Sequence, residues 1–305
     1  MRFIARRVLS TIPALWLILT MVFLLVHIVP GDPVQQMLGE SARPADVIRV
    51  RHALGLDRPL LAQYGDYLAH TLRGNLGTSF RFHAPVERIV ALHLPATLEL
   101  AFAGLCVCIG IALPAGLLAA HRPGSVTDHT VSVLTLFGLS VPNFALGPLL
   151  ILIFSVSLGW LPVSGRGGFT HIILPAFTLG AALAAILTRM VRATVMEELA
   201  SDYVRTARAK GLSEAAVLIR HALRNSLIPI LTILGLQLGT LLAGAIVTET
   251  IFSWPGIGRL AVQAIDARDY PLLQGCILVT TLCYVLVNLL TDLLYAAADP
   301  RVRLS

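Results

Sequence analysis

Val8-Leu-Ser-Thr-Ile-Pro-Ala-Leu-Trp-Leu-Ile-Leu-Thr-Met-Val-Phe-Leu-Leu-Val-His-Ile-Val29 is a run of 22 residues without a formal charge. Wound as an α-helix it extends about 33 Å, enough to cross a hydrocarbon core of about 30 Å. Arg2, Arg6 and Arg7 stand just before it and Pro30-Gly31-Asp32-Pro33 just after it. The run is too long for the apolar core of a cleaved leader, and its end offers no small-residue cleavage site. It predicts an uncleaved first membrane helix.

Five further apolar runs follow, over residues 94–120 (interrupted by Glu99), 131–156, 172–188, 227–248 and 272–291. The fourth has only 17 residues before Arg189 and is expected to continue past it, because an arginine near a span end can extend to the interface. Of the 305 residues 56% are hydrophobic and 13% charged, against about 25% charged in a soluble domain, too few to cover a water-facing globule. The expectation is an all-α membrane protein with six transmembrane helices. Prolines 114, 142, 148 and 175 lie inside the runs, where neighbouring helices can satisfy the freed carbonyls.

The net charge of +6 would raise nucleic-acid binding in a soluble chain, but the basic residues sit at the ends of apolar runs and form no stripe. With the N-terminus inside, thirteen of the 23 basic residues fall on inside segments, seven of them from Arg189 to Arg224. The two short outside loops hold only Arg166, Arg259 and Arg268. Both termini are therefore expected to be cytoplasmic. Residues 30–93 form a long outside segment in which 47–54 and 60–72 read as short amphipathic helices, expected to make a compact cap. Residues 94–298 form a five-helix core, and 299–305 a cytoplasmic tail. Cys106, Cys108, Cys276 and Cys283 all fall in apolar runs and read as packing residues.

The inside loop 194–226 carries the most specific pattern. Val195, Leu199, Tyr203, Ala207 and Lys210 recur at helical spacing, and Gly211 is placed to end that helix in a left-handed conformation. Ser213 can cap a second helix, with Leu212 and Val217 at staple spacing. The prediction is helix, glycine turn, helix, membrane. Thr206, Ala207 and Ala209 alternate with Arg205, Arg208 and Lys210, giving a slim helix with a charged rim suited to a groove on a partner protein. The same helices could instead lie on headgroups.

Tyr203-Val-Arg-Thr-Ala-Arg-Ala-Lys-Gly211-Leu-Ser, then His221-Ala-Leu-Arg-Asn225 and Ile228-Pro229, resembles the coupling-loop motif of ABC importer permeases in its peptide/nickel form. Arg205-Thr206-Ala207 stands where the general motif has Glu-Ala-Ala. The resemblance runs nearly end to end, through Leu94-Pro-Ala-Thr-Leu-Glu-Leu100, Leu158-Gly-Trp-Leu-Pro162, Phe252-Ser-Trp-Pro-Gly-Ile-Gly-Arg259 and Arg268-Asp-Tyr-Pro271. It implies a type I importer permease of the inner membrane, the B-type subunit for dipeptides or oligopeptides, with glutathione or nickel as alternative cargo. It also implies a second homologous permease, two cytoplasmic ATPases and an extracytoplasmic substrate-binding protein. Tyr203, Arg205, Thr206, Ala207, Arg208, Ala209, Lys210, Gly211, Leu212 and Ser213 would then form the ATPase-coupling loop. The sequence has no G-x-x-x-x-G-K-[ST] loop, so ATP and magnesium would be used by the partners, with no cofactor or metal on this chain and no enzymatic role of its own.

Glu99, Asn143, Gln237, Glu249, Asn288 and Asp292 are polar residues in or at the ends of the runs and are candidates for a pathway or gate, as is Trp254 in the 252–259 loop. That loop reads equally as an interfacial anchor or a re-entrant element. No H-x₃-H pair lies inside a run, which favours a peptide over nickel. A secondary transporter is the rival class, and it would show more spans, internal repeats and buried carboxylates along a path. A membrane enzyme would need a converging catalytic set, and neither HExxH nor GxSxG occurs.

Overall fold

The computed structural model describes residues 2–28, 34, 43–53, 55 and 57–298. The Pro30–Pro33 turn, the tail 299–305 and the side chain of Asp292 lie outside the described residues. The elements are α1 (Arg2–Ile28), α2 (Pro44–Ala53), α3 (Leu60–Leu72), α4 (Val86–His121), α5 (Val126–Ser140) and α6 (Asn143–Leu150), the last continued by π-helical turns Ile151–Ser157. There follow α7 (Phe169–Leu199), α8 (Asp202–Ala209), α9 (Glu214–Ala216, continued by π-helical turns Val217–Leu223), α10 (Arg224–Ile251), α11 (Ile257–Asp266) and α12 (Tyr270–Ala298). The chain divides into two compact units, residues 1–95 with 256–285, and residues 96–255 with 286–305.

In the first unit, Ile257, Leu260 and Ala264 form the buried stripe of α11 and pack against Val86, Ile89 and Val90 of α4 and Leu272 and Cys276 of α12. The isoleucine, leucine and valine side chains among them contribute about 1.5–3 kcal/mol each on full burial. Asp269 opens α12. It is fully buried, accepts hydrogen bonds from Ser79 Oγ (2.5 Å), the Arg81 N–H (3.0 Å) and the Leu272 N–H (3.2 Å), and so fixes the 79–81 turn to the helix start.

Both short helices expected in 30–93 are present, and α3 contacts α1. It lies beside α1: the Tyr64 hydroxyl is 2.7 Å from Thr20 Oγ1, and the Phe23 ring meets Tyr64 and Tyr67 at 5.2 and 5.6 Å. Leu68 lines a groove with Trp16 of α1 and Leu278 of α12, while Leu60, Leu61 and Leu72 stay exposed. Gln274 of α12 donates to the Val22 carbonyl at 2.9 Å and ties the third helix of this group.

In the second unit α7 is central, packing on α5, α6, α10 and the π-helical turns after α9. Leu179, Leu183, Leu187 and Val191 form its core edge against Leu100, Cys108 and Ala112 of α4 and Ile230 and Leu241 of α10. At the α4–α7 crossing a Cβ on Gly180 would lie 2.4 Å from the Gly104 carbonyl oxygen, so the backbones approach as only small residues allow. As expected, α7 passes Arg189 without interruption and has 31 residues.

The run 131–156 is not one straight helix. It breaks at Val141-Pro142, and the two halves bend by 102°. Val141 is extended (φ −88°, ψ 114°), the conformation a following proline imposes, and Pro142 caps α6. Among the described residues four helices are long and apolar enough to cross a membrane, Val86–His121, Phe169–Leu199, Glu214–Leu241 and Tyr270–Thr291, and the bent pair makes a fifth if taken as one span. The described apolar part of α1, Thr11–Leu24, is shorter.

Candidate functional site

The loop after α7 forms the predicted helix, turn and helix, with one change. The continuous face from Val195 to Lys210 does not exist, because α7 ends at Leu199 and α8 starts afresh at Asp202, with Ser201 extended (ψ 151°) before it. The new phase buries Val204 and Ala207 of α8 against Val217 and Leu199, whereas Tyr203 and Lys210 are exposed. Ala207 therefore holds the loop together internally and is not part of the outward surface.

Gly211 takes φ +81°, and the Leu212 N–H donates to the Ala207 carbonyl (3.3 Å) while the Gly211 N–H donates to Arg208 (2.9 Å). This six-to-one and five-to-two pair satisfies the last carbonyls of α8. Ser213 Oγ accepts from the Ala216 N–H at 3.4 Å and caps α9. Across the turn the Arg208 guanidinium makes two bonds to Glu214, at 2.9 and 3.1 Å. That pairing lowers the Glu214 carboxyl pKa and raises that of Arg208. Arg205 lies 3.6 Å from Asp202, and the Tyr203 hydroxyl donates to Glu198. The outward face is thus Arg205, Thr206, Ala209 and Lys210, all exposed. Beside it opens a groove of about 710 Å³ walled by Tyr203, Arg220, His221, Arg224 and Asn225 with Ile219 and Leu227. A slim helix with a cationic edge and an adjoining basic groove can engage an acidic or helix-accepting protein surface.

A bracket that sequence reasoning missed lies just before this loop. Asp128 in the first turn of α5 accepts from Arg192 of α7 through Nε (2.5 Å) and a terminal nitrogen (2.7 Å), and from the Gly124 N–H at 2.9 Å. The guanidinium, then the Gly124 amide, hold the Asp128 carboxyl at a pKa of about 2. The only sequence signal was Ser125 three residues ahead of Asp128, a capping pattern whose distant partner no spacing reveals.

The polar residues proposed for a pathway separate into groups. Glu249 is fully buried on α10 and accepts from Thr97 Oγ1 at 2.7 Å. Its carbonyl accepts from the Trp254 N–H (2.8 Å), and the fully buried indole Nε1 donates to the Ala96 carbonyl at 2.8 Å. Trp254 is therefore held as a structural post in this conformation. Glu99 is ion-paired to Arg166, whose guanidinium also stands 5.9 Å from the Trp254 ring. Gln237 is buried with Oε1 3.9 Å from Cys108 Sγ, and its Nε2 has no partner among the described residues. Asn143 starts α6 facing Gly244, with a buried Oδ1 likewise unpartnered. Asn288 is half-buried on α12.

Residues 112–304 match the family described as binding-protein-dependent transport system inner membrane component, and residues 1–101 match its N-terminal companion. The chain is 46% identical to the di/tripeptide transport system permease protein DppB of Pseudomonas aeruginosa, over 99% of this chain and 98% of that one. It is 44% identical to the glutathione transport system permease protein GsiC of Pectobacterium atrosepticum, over 99% of both. A solved structure of the MetNI methionine ABC transporter in an inward-facing conformation superposes with a TM-score of 0.60 at 19% identity, covering 69% of this chain and 96% of that one. At that identity the likeness speaks to the fold.

Proposed function

This chain belongs to the binding-protein-dependent transport system inner membrane components and is a permease subunit of an ABC importer, and from that premise we propose that its cargo is small peptides. The observation that carries the substrate class is full-length identity of 46% to a di/tripeptide permease. Glutathione is the second reading, favoured by 44% identity to a permease named for it. Both cargoes are short peptides with charged termini.

The proposed arrangement has six spans, with α1 as the sixth, on the strength of its 22-residue uncharged run. Both termini lie in the cytoplasm, in keeping with the arginine distribution. One further permease subunit completes the pathway, two ATPases lie below it, and an extracytoplasmic binding protein delivers the peptide. ATP and magnesium act on the ATPases, since this chain carries no phosphate-loop sequence. The face Arg205, Thr206, Ala209 and Lys210 docks on an ATPase, and ATP-driven closure moves α8 and α9 together because the Gly211 turn and the Arg208–Glu214 pair lock one to the other. The exposed position of that face supports the assignment.

The test is ATP hydrolysis by the reconstituted complex with binding protein loaded in turn with dipeptides, tripeptides and glutathione. Stimulation by the peptides above glutathione is expected. Stimulation by glutathione alone selects the second reading, and uptake that persists without the ATPases would contradict both.

A further inference from the structure

An apolar groove lies between α1, α3 and α12 in the first unit. Its volume is about 390 Å³, and its lining includes Ile12, Trp16 and Leu19 of α1, Leu68 and Leu72 of α3 and Leu278 of α12. Thr71 and Leu278 also line a second hollow, of about 360 Å³, that is shared with Tyr67, His70, Asn75 and Gln274. The Tyr67 hydroxyl is buried there beside Thr71 and meets hydrogen-bond geometry with no partner among the described residues. One end of the combined cleft is therefore apolar and the other polar.

Depth decides what fills it. The α1 wall, residues 12–19, lies in the middle of the uncharged run 8–29, and the α12 wall, residues 278–282, lies inside the run 272–291. Both walls are at the level of the hydrocarbon if these runs span. On the protein's surface here Leu72 is 80% exposed and Leu61 85% exposed, which in water would leave α3 with a bare apolar flank. A helix from a partner would be apolar along its length and would leave Tyr67, His70 and Asn75 facing hydrocarbon. A diacyl phospholipid has the matching order, apolar chain below and ester and glycerol oxygens above.

We propose that α3 is sunk into the bilayer alongside α1, and that the cleft between α1, α3 and α12 binds one phospholipid. The acyl chain lies against Trp16, Leu68 and Leu278, and the Tyr67 hydroxyl and Asn75 amide donate to the ester region. The proposal rests on the permease reading only in placing the chain in a bilayer, and neither readout below involves transport.

The test uses the full importer complex in vesicles of phosphatidylethanolamine and phosphatidylglycerol, with the accessible Cys106 and Cys283 replaced by alanine. A nitroxide on Leu72→Cys should collide with oxygen more than with a water-soluble nickel chelate, and should lie deeper than one on Leu61→Cys. Native mass spectrometry after detergent extraction should find one retained phospholipid per chain, reduced at least tenfold by Leu278→Trp, which fills the groove. Leu72→Gln, at an exposed position that folding does not depend on, should reduce it several-fold, and Tyr67→Phe should do so without changing the label depth. A label at 72 that reacts freely with the nickel chelate overturns the proposal. So does a label shielded from both reagents until a partner subunit is removed, which would mark a protein contact. Equal lipid retention in all variants also overturns it, because the lipid is then only annular.

Discussion

Replacing Asp128 by Asn removes the charge from the α5–α7 bracket and keeps its shape. The native carboxylate receives two guanidinium bonds of 2.5 and 2.7 Å, and Arg192 is about one-third exposed while Asp128 is nearly enclosed. Bonds to charged groups are worth about 1.5–3 kcal/mol, and water at Arg192 screens part of that, so a loss of about 2 kcal/mol is expected. That corresponds to roughly a 30-fold rise in local opening. Hydrogen–deuterium exchange of the 124–130 amides reads it directly, and a cycle with Arg192→Gln isolates the pair. Acidity adds a second arm. The folded carboxyl pKa, about 2, lies below the unfolded value of about 3.9, so the contribution is complete above about pH 4 and is lost as the pH falls toward 2. Protection should be flat from pH 8 to pH 5 once intrinsic exchange is corrected. Additive single substitutions, or weakening that begins near pH 6, would refute the reasoning.

Gly180→Val should destabilise the second unit by about 1–3 kcal/mol or more, because its Cβ would meet the Gly104 carbonyl at 2.4 Å; a lowered melting temperature of the purified complex checks this. Gly211→Ala forces a side chain into φ +81° and should cost about 1 kcal/mol in the loop, seen as faster proteolysis between α8 and α9. Ala209→Trp, on the exposed face, should uncouple ATP hydrolysis from transport with the melting temperature unchanged, whereas Ala207→Asp should lower the melting temperature first, since Ala207 is buried. Trp254→Phe removes the indole bond to the Ala96 carbonyl, which keeps its helical donor, and should cost about 0.5–1.5 kcal/mol, read as a lowered melting temperature.

The loop was legible because its signals are local. Gly211 and Ser213 specify a left-handed turn and a cap whatever surrounds them, and both are found. The register of α8 was not, because the interruption at Ala200-Ser201 has no glycine or proline to announce it and is stabilised by Val204 and Ala207 finding Val217. Pro142 and Pro114 look alike in the sequence, yet α4 runs through Pro114 while Val141-Pro142 bends by 102°. Local chemistry permits the break, and the fit of α6 against α7 and α10 selects it. The Asp128–Arg192 and Ser79–Asp269 bonds join residues 64 and 190 positions apart, beyond the reach of any periodicity.

The two arms of the loop differ mechanically. Toward α7 the chain has a joint at Ala200-Ser201, while toward α10 the backbone is wound without interruption from Glu214 to Ile251. The joint is bridged by side chains, Leu199 on Val204 and Val217 and Tyr203 on Glu198, whereas the second connection is continuous helix. The unbroken arm ends at Ile251, two residues past the buried Glu249, so the coupling proposed for α8 has a continuous helical path to that carboxylate.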